Sequence, residues 1–272
     1  MSVLASFAGV SVDVATLSRC GARERNEDAC GYWNSEHGGC FVVSDGAGGH
    51  GGGDIASETT VKTILSAFCN RSVFDRGYIE GVVSQADAAV RYCQQLSAKN
   101  NMSATVAAAF LNADASQLQL IHLGDTRVYR FRRNQGECLT KDHSLVQALV
   151  DSGRLDASEA RSHPKRHVLL SALGAREVPQ PQALSEALPV QEGDAYLLCT
   201  DGFWDVITES AMACCLRLAD SAQEWLFRMA EEVEHAGNPD QDNYTALAFW
   251  VGRPNPVSVP WPPRSSLVAA VS

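Results

Sequence analysis

The chain is predicted to fold as an α+β protein, a mixed or antiparallel sheet with helices packed outside it. Short apolar or alternating runs at residues 12–17, 41–43, 105–111, 118–123, 128–131, 196–200 and 245–251 have the length and pattern of strands. These runs outnumber the helical patterns and often follow one another directly. A hairpin is expected at 118–131, whereas a wound βαβ fold would alternate strand with helix. A hydrophobic content of 45% over 272 residues suffices for one large core, so a single domain is expected over 1–252.

Each element has a local reason. Val12 to Leu17 supplies the first strand, and Phe41-Val42-Val43 is a buried run that ends at Asp45-Gly46. Ile55, Val61, Ile64, Leu65 and Phe68 then share one face of a helix. Ile79, Val82, Val83, Ala86, Ala89, Val90, Cys93 and Leu96 share the face of a second, longer one. The next three strand-like runs reach Phe131. Beyond the strand at 196–200, Ala222, Trp225, Leu226, Met229 and Val233 define a third helix, opened by the capping pattern Ser221-x-x-Glu224. The last strand ends at Val251. Residues 253–272 carry five prolines and no periodicity, the composition of a surface or disordered tail.

Composition removes several function classes. A formal net charge of −10 disfavours a nucleic-acid backbone or an anionic membrane as the main partner. No stretch reaches the roughly 18 apolar residues of a membrane span, and the N-terminus lacks the pattern of a signal peptide. Nine cysteines without a CxxC pair read as reduced thiols in a cytoplasmic protein.

The informative recurrence is acidic. Asp45, Asp125, Asp201 and Asp242 stand at the ends of separate apolar runs, in the strings CFVVSDG, LQLIHLGD, AYLLCTDG and QDNYTALAFWV. Any one Asp-Gly pair is an ordinary turn signal. Four strand ends that converge would instead gather hard oxygen ligands suited to Mg2+ or Mn2+. Arg23-x-x-Asn26-Glu27-Asp28 adds a guanidinium beside two carboxylates, either a solvated cluster or a phosphate fork with acidic support. The glycines from Gly46 to Gly53 permit close backbone approach, but no Gly-Lys-Ser/Thr follows to make a nucleotide P-loop. They shape a loop in which Asp45 and the Gly46 carbonyl would be ligands. No CxxxxxR string offers a cysteine nucleophile, and His163-x-x-x-His167 has zinc half-site spacing interrupted by Pro164 with no cysteine pair nearby.

In order along the chain, RERNEDA, VVSDGAGGHGGGDIAS, HLGDTRVYRF, LTKDHSLVQALVDSGRL, HPKRHVLLSALG, LLCTDGFWDVIT and DQDNYTALAF resemble the bacterial branch of the metal-dependent PPM (type 2C) serine/threonine protein phosphatases. The resemblance spans nearly the whole chain. It implies a central antiparallel β-sandwich flanked by helices, in four α/β/β/α layers, with a binuclear Mn2+ or Mg2+ centre at one end. Position by position, it implies that Asp45 bridges two metals with the Gly46 carbonyl on one, and that Asp201 and Asp242 complete the other. Asp125 with Asp201 matches a third, weaker metal site. Arg23 matches the phosphate-binding arginine, Glu27 and Asp28 match acidic positions that orient water, and Asn243 follows the last ligand.

The implied activity is hydrolysis of phosphoserine and phosphothreonine in proteins by an activated water, opposing a bacterial Ser/Thr kinase, with phosphoproteins as partners and the enzyme a monomer. Residues 143–170 would form a flap beside the site, including a turn capped by Asp156-x-x-Glu159. Its Arg161, Lys165 and Arg166 would be solvated or would meet acidic phosphoproteins. The chain departs from the family pattern twice. Ala47 stands where some members carry a histidine, and His50 occupies a different position, so solvent or metal-bound water would protonate the leaving group. Ser103-Ala104-Thr105 replaces Gly-Thr-Thr, a change expected to affect packing beneath the site. A catalytically silent phosphoprotein-binding regulator and a hydrolase of small phosphate esters remain as alternatives.

Overall fold

The structure is a computed structural model that describes residues 3–7, 9–48, 51–70, 73–97, 101–133, 135–176 and 180–252. His50 and the proline-rich segment 253–272 lie outside the described residues. One sheet has the order β1 (Val3–Phe7), β2 (Val10–Arg19), β14 (Tyr244–Val251), β13 (Ala195–Cys199), β9 (Arg127–Arg132) and β10 (Gln135–Cys138). The other runs β11 (Gln182–Ala183), β8 (Gln117–Leu123), β7 (Val106–Asn112), β4 (Gly38–Ser44) and β3 (Ala29–Ser35), with β12 (Leu188–Pro189) also on β8. A short ribbon joins β5 (Gly46–Ala47) to β6 (Ser103–Ala104). The pairings are antiparallel throughout these residues.

The two-residue period of the strands sorts side chains into layers. In β14, Leu247, Phe249 and Val251 enter the space between the sheets, while Ala246, Ala248 and Trp250 face α6 (Glu209–Arg217) and α7 (Ala222–His235). In β4, Phe41 and Val43 enter the same inner space, while Cys40 and Val42 face α1 (Gly53–Asn70) and α2 (Arg76–Leu96). Phe41 stacks on Phe249 at 4.0 Å, and Tyr196 stacks on the same ring at 4.8 Å. Helices, sheet, sheet and helices are therefore glued by three apolar contacts, each large side chain contributing about 1.5–3 kcal/mol on burial.

The helices match their sequence signals with small changes. Ser221 accepts from the Glu224 N–H at 3.1 Å, but the Glu224 carboxylate reaches back to the Asp220 N–H instead of completing the box at Ser221. Ile55 and Leu96, assigned by spacing to buried faces, are exposed in the terminal turns of α1 and α2, where neighbours cover them less completely.

One expectation is overturned. Residues 118–131 are not a hairpin, because β8 and β9 belong to different sheets. Gly124, at φ +99°, turns the chain across the end of the sandwich, and β9 pairs with β13 and β10 instead. Both runs alternate correctly for a hairpin; the choice of partner is made by the inner layer, which Leu118, Leu120 and Val128 enter from opposite sheets.

Candidate metal centre and phosphate cleft

Strand register brings the four aspartates to one place. Ser44 pairs with Ala29 and Leu123 with Val106, while Cys199 lies between Ala246 and Arg127 and Tyr244 pairs with Arg19. The segments 20–28, 45–48, 124–126, 200–201 and 242–243 consequently open at the same end of the sandwich. Asp45 follows β4, Asp125 occupies the crossover between sheets, Asp201 begins the short helix α5 (Asp201–Trp204), and Asp242 precedes β14.

Hydroxyls and amides brace these loops. The Asp45 N–H donates to Thr105 Oγ1 at 3.0 Å, and that hydroxyl also lies 2.6 Å from Thr126 Oγ1, so one threonine spans the Asp45 and Asp125 loops. Thr105 is the retained member of the Ser103-Ala104-Thr105 departure, and Ala104 packs in a small cluster with Ala56, Val90 and Met102. Thr200 Oγ1 donates to Asp28 Oδ2 at 2.9 Å and accepts from the Thr245 N–H at 3.0 Å. Asn243 accepts from the Glu27 N–H at 2.8 Å and donates to the carbonyls of Cys20 at 2.9 Å and Arg25 at 2.8 Å, tying residues 20–27 to the Asp242 loop.

Two glycines are required by close approach. A Cβ on Gly46 would strike the carbonyl oxygens of Gly53 and Glu27, and one on Gly202 would strike that of Asn243. The first keeps Glu27 against the Asp45 loop; the second lets the Asp201 and Asp242 loops touch.

The electrostatics follow from this crowding. Burial, then the charges of Asp28, Asp201, Asp125 and Asp242, push the Asp45 carboxyl well above its ordinary range. Asp28 is raised by burial and by Asp201 and Asp242, against hydrogen bonds from Thr200 and Thr245. Asp125 is raised by burial, Asp201 and Asp142, with Arg127 only a minor offset. Glu27 is raised by burial and Asp54. Such a set of hard oxygen donors, without enough side-chain cations to neutralise it, fits divalent Mg2+ or Mn2+.

Among the described residues, no three His, Cys, Asp or Glu side chains are drawn tightly enough around one point to cage an ion as they stand. Two carboxylates are turned to other partners: Asp242 Oδ2 meets Arg23 Nη2 at 2.9 Å, and Asp201 Oδ2 meets His167 Nδ1 at 3.0 Å. Beside them lies an open cleft of 600 Å³, lined by Arg23, Glu24, Arg25, Glu27, Gly51, Asp242 and Asn243.

Residues 143–170 form a loop closed at its base. Leu145 N–H donates to Val168 O and Leu170 N–H to His143 O, both at 2.8 Å, with Ser144 bridged to Leu169. The loop carries α3 (Leu145–Asp151) and the single turn α4 (Ala157–Ala160). Two of its three basic residues, though partly exposed, are bonded to the rest of the fold. The Arg161 guanidinium donates to the carbonyls of Trp204 and Ile207, and Arg166 pairs with Asp205 at 3.1 Å. With His167 on Asp201, the loop is latched to the segment that presents that aspartate. His163 accepts from the Lys165 N–H at 3.1 Å, while His167 turns to Asp201. Cys40 and Cys199 are fully buried, and burial pushes both thiols well up, as expected for inert strand cysteines.

Sequence reasoning named Asn243 without its bonds to the 20–27 loop, and it missed the threonine struts and the Arg161 latch. The first had a signal in its place beside Asp242; the others depend on residues distant along the chain.

Comparison with known proteins agrees with the geometry. The sequence matches the family model described as Protein phosphatase 2C over residues 18–242. The serine/threonine phosphatase stp of Listeria welshimeri is 31% identical over 235 residues, 83% of this chain and 90% of its own length. The serine/threonine protein phosphatase PstP of Mycobacterium tuberculosis is 30% identical over 201 residues, 74% of this chain; the match spans 38% of that relative's length. The crystal structure of Mycobacterium tuberculosis PstP/Ppp superposes with a TM-score of 0.76 at 28% identity, covering 90% of this chain and 100% of that one. A structure of the PstP catalytic domain in complex with two manganese ions gives a TM-score of 0.76 at 27% identity, covering 89% and 99%. Fold and site together define a bacterial-type PPM phosphatase architecture. The chain belongs to the protein phosphatase 2C family.

Proposed function

We propose that the chain hydrolyses phosphoserine and phosphothreonine monoesters in proteins at a divalent-metal centre, opposing a Ser/Thr kinase. The observation that carries this reading is the convergence of Asp45, Asp125, Asp201 and Asp242 at one end of the sandwich, where the charges of the other three raise the proton affinity of Asp45. A relative's catalytic domain holds two manganese ions, which supports a binuclear centre here. In this reading Asp45, the Gly46 carbonyl, Asp201 and Asp242 would hold the pair, and Asp125 with Asp201 would hold a third, weaker ion. When bound, such a pair supplies Lewis-acid charge that lowers the pKa of a water nucleophile and neutralises the transferred phosphoryl group.

The remaining work falls to the chain itself. Arg23, 58% exposed at the cleft, turns its planar fork from Asp242 to the phosphoryl oxygens of the substrate. Glu27 and Asp28 orient water through their carboxylates, with Asn243 tethering the Glu27 backbone and Thr200 bonded to the Asp28 carboxylate. Residues 143–170 act as a flap beside the cleft, on a single catalytic domain of residues 1–252. Nine unpaired cysteines suit a reducing cytoplasm.

The test is Mn2+-dependent phosphate release from phosphothreonine peptides and from p-nitrophenyl phosphate, with Asp45→Asn and Asp201→Asn beside wild type. Wild-type turnover that disappears in both variants and in chelator is expected. Phosphopeptide binding without turnover would identify a silent regulator instead. Peptide rates no better than those on the small ester would remove the protein-substrate assignment.

A further inference from the structure

We propose that Arg25 reads a second anionic group on the substrate, so that the cleft favours a phosphoresidue flanked by an acidic side chain. This rests on the hydrolase reading above. Arg25 lines the same cleft as Arg23. Its backbone is not free to wander, because its carbonyl accepts from Asn243 Nδ2 at 2.8 Å while the Oδ1 of that side chain takes the Glu27 N–H. The guanidinium therefore starts from a fixed point between the phosphate arginine and the acidic centre.

Its charge is also uncommitted. Arg23, Arg127, Arg132, Arg166 and Arg228 each hold a carboxylate within 3.1 Å, whereas among the described residues the Arg25 guanidinium makes no ion pair or hydrogen bond. The residue lies in the wall of the cleft together with Glu27, and its charge acts on that carboxyl. The surroundings are hostile to a second anion everywhere else: Glu24, Glu27 and Asp242 line the cleft, on a chain of net charge −10. A carboxylate beside the phosphoresidue would be repelled unless it fell within reach of Arg25, the cation without an ion pair among the described residues that line the cleft. Arg25 thus converts a general repulsion into a positional preference.

The experiment compares kcat/KM on phosphothreonine peptides that carry an acidic residue at one of the flanking positions with that on the neutral peptide, in Mn2+, for wild type, Arg25→Ala, Arg25→Lys and Arg25→Glu. Wild type is expected to prefer the best acidic peptide by about fivefold, through KM, with the preference fading as salt rises. Arg25→Ala should bring the ratio to about one, Arg25→Lys should retain most of it, and Arg25→Glu should invert it. Melting curves matching wild type guard against a folding defect. A wild-type ratio of one, or a ratio unaltered by Arg25→Ala, overturns the assignment of Arg25 alone. A wild type that turns over neither peptide nor p-nitrophenyl phosphate overturns the hydrolase reading and this inference with it.

Discussion

Replacing Asp125 by asparagine should stabilise the chelated protein while damaging its response to metal. Asp125 is 5% exposed, and its carboxyl is pushed up to about 8 by burial and by Asp201 and Asp142. In the unfolded chain the same group titrates near 3.9. Between these values the unfolded state releases a proton that the folded state keeps, so stability is complete below about pH 4 and falls as pH rises toward 8. At about pH 7.5 that gap corresponds to ~5 kcal/mol as an upper bound. The shift is shared with its charged neighbours and the buried asparagine amide keeps a desolvation cost of its own, so a gain of about 2–3 kcal/mol is expected.

For a domain of this size that is a rise of about 5–10 °C in melting temperature. Calorimetry in chelator at about pH 5 and about pH 7.5 should show the variant's advantage growing with pH. Titration with Mn2+ should then reverse the order, because a ligand that binds the folded state raises wild type more. Equal melting temperatures for the two proteins across this range, or a wild type that gains stability as chelated samples are made more alkaline, would refute the reasoning.

Two further outcomes follow from the packing. Gly202→Ala puts a methyl against the Asn243 carbonyl, so it should cost about 2 kcal/mol and lower Mn2+ affinity, read by calorimetric titration, because the Asp201 and Asp242 loops must separate. Arg161→Ala removes the donor to the Trp204 and Ile207 carbonyls, so limited proteolysis within 143–170 should accelerate severalfold while the melting temperature changes little.

How far the chain can be read without coordinates differs by element. The strand at 245–251 and the helix Ala222–His235 were legible because each carries its own period and, in the helix, its own cap. β3 was missed: Ala29–Ser35 has no run of alternating residues, and it is held as a strand by pairing with β4 along its whole length. The mistaken hairpin at 118–131 has the opposite cause, since a two-residue period states that a segment is a strand but not which strand lies beside it. The bonds of the flap arginines were not foreseen because their acceptors, the carbonyls of Trp204 and Ile207 and the carboxylate of Asp205, carry no sequence signal that pairs them with residues 161 and 166.

By itself the sequence determined which side chains stand at strand ends, that they are aspartates flanked by glycine or asparagine, and that the family is one of metal-dependent phosphatases. Those are local properties, written in residue type and spacing. Only the tertiary structure decided that Asp45 and Asp125, on one sheet and its crossover, face Asp201 and Asp242 on the other, and that Asn243 and Thr105 hold the loops in register. Antiparallel pairing and the packed layer between the sheets act between residues far apart in the chain, and no local pattern encodes the partner.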